Sequence, residues 1–179
     1  MTIFASPHND DETLFGAFTL LRERPLVVVV YDSHLQEKRG FPVTAKQRRL
    51  ETETACSILG CQARFLGFRD DDPTVTAEGI WRRLYAIGAD AVYAPAFENG
   101  GHEQHNLVAQ ACNALPVVNR YLAYTRTRGK STSDKPVPYE PRWPLLKLKA
   151  LACYESQIVN PGLGCVEHFI GRSLLEYYA

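Results

Sequence analysis

Thr2-Ile3-Phe4-Ala5-Ser6-Pro7-His8-Asn9-Asp10-Asp11-Glu12 is the stretch whose reading decides the fold. Its apolar first half predicts a β-strand. Residues 13–21, which follow it, predict a buried helix. An imidazole and adjacent carboxylates then fall at the carboxyl end of a strand, where open α/β sheets place their ligands. Histidine with aspartate suits a borderline divalent ion such as zinc. A second carboxylate beside them is able to handle protons. The expectation from this stretch alone is a metal-dependent hydrolase.

Working outward, Pro25-Leu26-Val27-Val28-Val29-Val30-Tyr31 is a continuous β-branched run. Such a run predicts a central parallel strand buried on both faces. Residues 32–43 are polar and contain Gly40 and Pro42, so they predict a loop. Thr44 is placed to cap a helix that runs to about Leu59 and stops at Gly60. Leu50, Thr54, Ile58 and Leu59 are expected on its inner face. Residues 62–66 predict a third strand and residues 67–73 a loop with Asp70, Asp71 and Asp72. Thr74 or Thr76 starts a helix ending near Gly88.

Residues 91–94 predict a fourth strand, residues 95–101 a loop, and His102 and His105 the start of a helix ending near Leu115. A strand is expected over 117–125, a lid-like loop over 126–144, a helix over 145–157 and a last helix over 166–178. Strands alternating with helices at this spacing indicate one domain over residues 1–179. Its class is α/β, a Rossmann-like three-layer sandwich with a mostly parallel sheet.

Composition excludes several classes. The chain has 179 residues, 45% hydrophobic and 22% charged, with Lys+Arg 20 balancing Asp+Glu 20. Zero formal charge argues against nucleic acid or an anionic membrane as a bulk electrostatic partner. No apolar run approaches the ~20 residues that span a bilayer. No basic segment precedes the first apolar run, so no signal peptide is expected. The five cysteines form no CxxC pair, which fits reduced thiols in a cytoplasmic protein.

The first and fourth strands each deliver histidine at their carboxyl ends, and right-handed crossovers put those ends on one side of the sheet. His8, Asp11 and His105 are then able to close on one metal with a position left for water, the usual form of a catalytic zinc site. Asp10 is the candidate general base. Each pair has a plainer reading as well. His8 with Asp11 reads equally as a helix cap, with a carboxylate accepting backbone N–H bonds. His102 with His105 reads equally as a surface pair.

His8-Asn9-Asp10-Asp11-Glu12 followed by His102-x-x-His105 resembles the LmbE/PIG-L family of zinc-dependent N-acetylglucosaminyl deacetylases. Members usually carry His-Pro-Asp-Asp-Glu and His-Pro-Asp-His. The pattern Arg48-x-x-Glu51-x-x-x-Ala55-x-x-x-Leu59-Gly60 resembles the family's second helix. Phe65 to Asp70 is similar to the strand and loop that follow it, and Lys149 to Gln157 to a late helix. The resemblance spans residues 2–157. It implies zinc, or another divalent transition metal, on His8, Asp11 and His105. It implies Asp10 as the base that later protonates the amine, and His102 as a protonated electrophile beside the oxyanion. Arg48 and Asp70 would lie near the substrate's hydroxyl groups.

Asn9 stands where the family has proline, and Glu103-Gln104 where it has Pro-Asp. Gln104 is expected to hydrogen-bond His102 without supplying charge, which lowers the His102 pKa. The implied reaction removes an N-acetyl, or other N-acyl, group from an amino sugar or sugar-bearing small molecule. The wider alternatives are a broader metal-dependent amidase of secondary metabolism and a catalytically weak metal-containing binding protein. Tyr177 and Tyr178 are candidates for docking on the body of the fold or on a second subunit of a homo-oligomer.

Overall fold

Val27 and Val29 face one layer of helices while Val28 and Val30 face the other, and all four are closed to solvent. They lie in β2 (Leu26–Asp32), paired in parallel with β1 (Thr2–Ser6) and β3 (Gln62–Arg69). Burial on both faces is why this strand reads as an unbroken β-branched run. Each buried valine is worth about 1.5–3 kcal/mol. The computed structural model describes residues 1–121, 135–159 and 176–178.

Further strands are β4 (Ala91–Pro95), β5 (Val118–Tyr121), β6 (Lys135–Pro136) and β7 (Tyr177–Tyr178). They complete a seven-stranded sheet of order β3-β2-β1-β4-β5-β7-β6. The first five strands run parallel, and β7 lies antiparallel to both β5 and β6. Strand order reverses between β1 and β4. The carboxyl ends of those two strands therefore flank the topological switch point.

Helices α4 (Ala77–Tyr85) and α5 (Glu103–Cys112) cover one face through Ile80, Leu84, Val108 and Cys112. The other face is covered by α1 (Asp11–Glu23), α3 (Ala45–Ile58) and α6 (Trp143–Leu151), through Ala17, Leu20, Ala55, Cys56, Ala150 and Leu151. Two short helices, α2 (Leu35–Lys38) and α7 (Glu155–Ile158), complete the described residues. Thr44 and Thr76 cap α3 and α4 by accepting from the Gln47 and Gly79 amides. Gly16 lets α1 lie close on β1, because a Cβ there would stand 2.3 Å from the Phe4 ring.

Several expectations change. The stretch expected as a loop over 32–43 contains α2. β3 runs on through Gly67, at φ +75°, where the β2 register shifts between Val29 and Tyr31 before pairing resumes. The helix expected over 145–157 is two helices. The turn between α6 and α7 sends Tyr154 inward to the Glu12 carboxylate. Tyr177 and Tyr178, expected in a helix, form β7 because Tyr178 pairs with Tyr121. Residues 166–175 of that helix, residues 122–125 of the expected strand and 126–134 of the expected lid lie outside the described residues.

The inner face of α3 also differs. Leu50 is 63% exposed, and the buried positions are Arg48, Glu51, Thr52, Ala55 and Cys56. The helix turns a polar edge inward because Arg48 and Glu51 have partners there, described below.

Candidate metal centre

The turn from β1 into α1 is built by buried polar side chains. Glu12, closed to solvent, accepts from the Ser6 and Thr13 hydroxyls at 3.0 and 3.1 Å, from the Asp10 amide at 3.2 Å, and from Tyr154. Burial pushes its carboxyl pKa up. Asn9 donates to the Thr52 hydroxyl and accepts from that of Ser33, both at 3.2 Å. Those two bonds tie the turn to α3 and to the end of β2, a restraint that replaces a proline ring. Asp10 sits at φ 150°, a backbone state that costs a non-glycine residue about 1–3 kcal/mol.

Three donor atoms converge at the switch point. Asp11 Oδ2 lies 3.1 Å from His8 Nδ1 and 3.1 Å from His105 Nε2, and the two nitrogens are 3.3 Å apart. Tetrahedral zinc with bonds of about 2.0–2.2 Å separates its donors by about 3.2–3.6 Å. The set fits such an ion in both atom type and spacing. A nitrogen of His102 joins those of His8 and His105 within 4.8 Å. Asp11 is the better third donor, since its oxygen already touches both imidazoles and brings negative charge. It also accepts from the His8 amide at 2.9 Å, a bond within the turn ahead of α1, and the N-cap residue Asp10 makes no side-chain cap bond.

The charges respond to each other. Burial works against ionised Asp11, but His105 and His8 outweigh it and hold the carboxyl well below the usual range. Burial likewise opposes a charged His8, and Asp11 outweighs it, raising the imidazole to about 9. Asp10 is pushed up to about 7 by burial, against the pull of Arg48. His102 is lowered to about 4 by desolvation and by repulsion from His8 and His105. A protonated His102 at neutral pH is therefore opposed by its surroundings, and the neutral ring is the favoured form.

Arg48 is buried beneath the turn. It donates to Asp10 Oδ2 at 2.7 Å, to Glu51 Oε2 at 2.9 Å and to the Asn9 carbonyl. Glu51 in turn accepts from the Ser156 amide and hydroxyl at 2.8 and 2.7 Å. Arg48 is thus a buried residue held among protein groups. Its Nη1 and Nη2 are taken up by Glu51, Asp10 and the Asn9 carbonyl, which makes it a holder of Asp10.

His102 stands at the N-cap position of α5 without a side-chain cap bond, exposed, its ring 4.9 Å from that of His8. Gln104 does not turn to His102 as expected. Its Oε1 lies 2.7 Å from His8 Nε2 and its Nε2 donates to the Asp70 carbonyl at 2.8 Å. The Asp70 carboxylate accepts from the His34 and Leu35 amides at 2.7 and 2.8 Å and so starts α2.

Residues 3–115, more than half of the sequence, match the family described as PIG-L, GlcNAc-PI de-N-acetylase. The chain belongs to the PIG-L family. Solved structures share its fold at low identity. N,N'-diacetylchitobiose deacetylase from Pyrococcus horikoshii is 20% identical, with a TM-score of 0.65 over 95% of this chain and 78% of that one. The zinc inhibited form of teicoplanin deacetylase Orf2 is 16% identical, with a TM-score of 0.69 over 99% and 96%. GalB, the 4-carboxy-2-hydroxymuconate hydratase from Pseudomonas putida, is 15% identical, with a TM-score of 0.68 over 99% and 93%. At these identities the likeness is one of fold. No curated protein matches the sequence.

As a member of the PIG-L family the chain is a hydrolase of the deacetylase class. Among the described residues of this PIG-L domain, no helix is long and apolar enough to cross a membrane. Sequence reasoning found the residues that converge and singled out Arg48 and Gln104 without their partners, Asp10 and His8. Glu51 was findable, because Arg and Glu three apart on a helix are neighbours. Glu12 with Tyr154, and Gln104 with His8, join elements far apart in the chain and leave no local signal.

Proposed function

We propose that this chain removes an N-acetyl group from an amino sugar or a sugar-bearing small molecule, with a divalent ion on His8, Asp11 and His105. Zinc is the first choice, since two imidazoles and one carboxylate are its usual catalytic set. Other divalent transition metals accept the same donors. The observation that carries the reading is the donor triad at 3.1–3.3 Å with the Arg48-held Asp10 carboxylate one residue away in sequence. The family's description, a de-N-acetylase, agrees with it.

When bound, such an ion supplies a Lewis acid that makes hydroxide available near neutral pH and polarises a carbonyl. Asp10 takes a proton from the attacking water. The hydroxide adds to the acetyl carbon, the C–N bond breaks, and Asp10 returns the proton to the departing amine. Acetate and a free amine are the products. His102, exposed at the mouth and neutral, donates an N–H toward the carbonyl oxygen as that oxygen gains charge. Arg48 serves by fixing Asp10. Asp70, half-buried in the loop after β3 and bonded through its carbonyl to Gln104, is the rim residue offered to the sugar's hydroxyl groups.

The test is to load the protein with zinc and measure acetate and amine together across N-acetyl amino sugars and non-sugar acetamides. Equimolar release, faster from the sugars, is expected. Release from the non-sugar amides alone would replace the sugar reading with the broader amidase. No release from any of them, with the ion bound, would contradict hydrolysis.

A further inference from the structure

Gln104 is a side chain in the ring around the triad that the proposed reaction does not use. Its orientation is fixed by its two partners. The Asp70 carbonyl is able only to accept, so the group 2.8 Å from it is the Gln104 amide nitrogen. The amide oxygen therefore faces His8 Nε2 at 2.7 Å. An amide oxygen has no hydrogen to give, so His8 Nε2 must carry the proton and donate it. The lone pair of the neutral ring is then on Nδ1, the nitrogen that lies 3.1 Å from Asp11 Oδ2 and 3.3 Å from His105 Nε2.

We infer that Gln104 is the positioning residue that selects the Nε2–H tautomer of His8 and so presents Nδ1 to the ion. The inference rests on the reading of His8 as a metal ligand. The hydrogen-bond partner of a ligating histidine's other nitrogen fixes both its tautomer and its ring rotation. Gln104 is itself anchored: it stands on α5, and its second bond ties it to the loop after β3. His8, on the turn after β1, is thus aimed from two other elements of the sheet edge. The partner is a neutral amide, so it directs the ring without lending negative charge of its own.

Two measurements test this on the whole chain. In the first, zinc affinity is read by competition with a fluorescent chelator for the parent and for Gln104→Leu, with the metal-free melting temperature of each. The variant is expected to bind zinc about 10–100-fold more weakly, while its metal-free melting temperature stays near the parent's. A merely structural role would move the melting temperature instead. Affinity within twofold of the parent overturns the inference and leaves the metal site standing. In the second, which needs no variant, long-range nitrogen–proton NMR of the zinc-loaded parent is expected to show His8 protonated on Nε2 and metallated on Nδ1. Metal on Nε2 overturns the inference. A parent that takes up no zinc overturns both this inference and the reading beneath it.

Discussion

Arg48 Nη2 stands 2.7 Å from Asp10 Oδ2, and the Arg48 side chain is only 2% exposed. This pair links α3 to the turn that carries the proposed base. It also sets the charge on the proposed base, since burial raises the Asp10 pKa to about 7 and Arg48 pulls it down.

Replacing Arg48 by Met should therefore move the acid limb of the pH–rate profile upward. Asp10 accepts a proton only when ionised, so activity rises as pH passes through its pKa. Removing a neighbouring cation raises that pKa by about 1–3 pH units. Rates measured from pH 5 to 10 check this. A limb that stays in place would mean Arg48 does not govern the base.

Asp10→Asn keeps the shape of the side chain and removes its capacity to take a proton. Turnover should fall about 10²–10⁴-fold, while zinc content stays equal to the parent's, because Asp10 is not one of the three donors. Paired assays of acetate release and bound metal decide the matter. Equal turnover would assign the base elsewhere.

Lys147 and Glu176 form a buried ion pair at 2.8 Å, and Glu176 also accepts from the Phe18 amide. Lys147→Met leaves that carboxylate uncompensated and should cost about 3–5 kcal/mol in denaturant unfolding. A cost below about 1 kcal/mol would show that the Phe18 amide suffices. The pair fastens the stretch before β7 to α1 and α6, so it supports the edge of the sheet and not the site.

Gly16→Ala should destabilise, against the usual gain of about 1 kcal/mol for that change inside a helix. The added Cβ meets the Phe4 ring at 2.3 Å. Overpacking of this kind costs about 1–3 kcal/mol, read as a lower denaturant midpoint. A second change, Phe4→Leu, should recover part of the loss.

What was legible in the sequence follows physical range. β1, β2 and the helices α1 and α3 declare themselves through local pattern, since a strand buried on both faces has to be apolar throughout. The convergence of His8, Asp11 and His105 was legible because strand ends in a parallel sheet share one edge. The inner face of α3 was not. Burying Arg48 is tolerable only because Asp10 and Glu51 meet it, and nothing near Arg48 in the chain announces Asp10. Leu50 misled for the same reason, being apolar on the face that the ion-pair network leaves outside. β7 escaped because a two-residue strand is defined by its partner, Tyr121, and not by its own pattern. The same holds for Gln104, whose choice of His8 over the nearer His102 is a property of the folded edge.

The most direct test is the zinc stoichiometry of the purified chain after dialysis against the ion. One zinc per chain is expected, falling to a small fraction in Asp11→Ala and in His105→Ala while both variants remain folded. No zinc in the parent, or a full equivalent retained by both variants, would contradict a metal centre at the ends of β1 and β4.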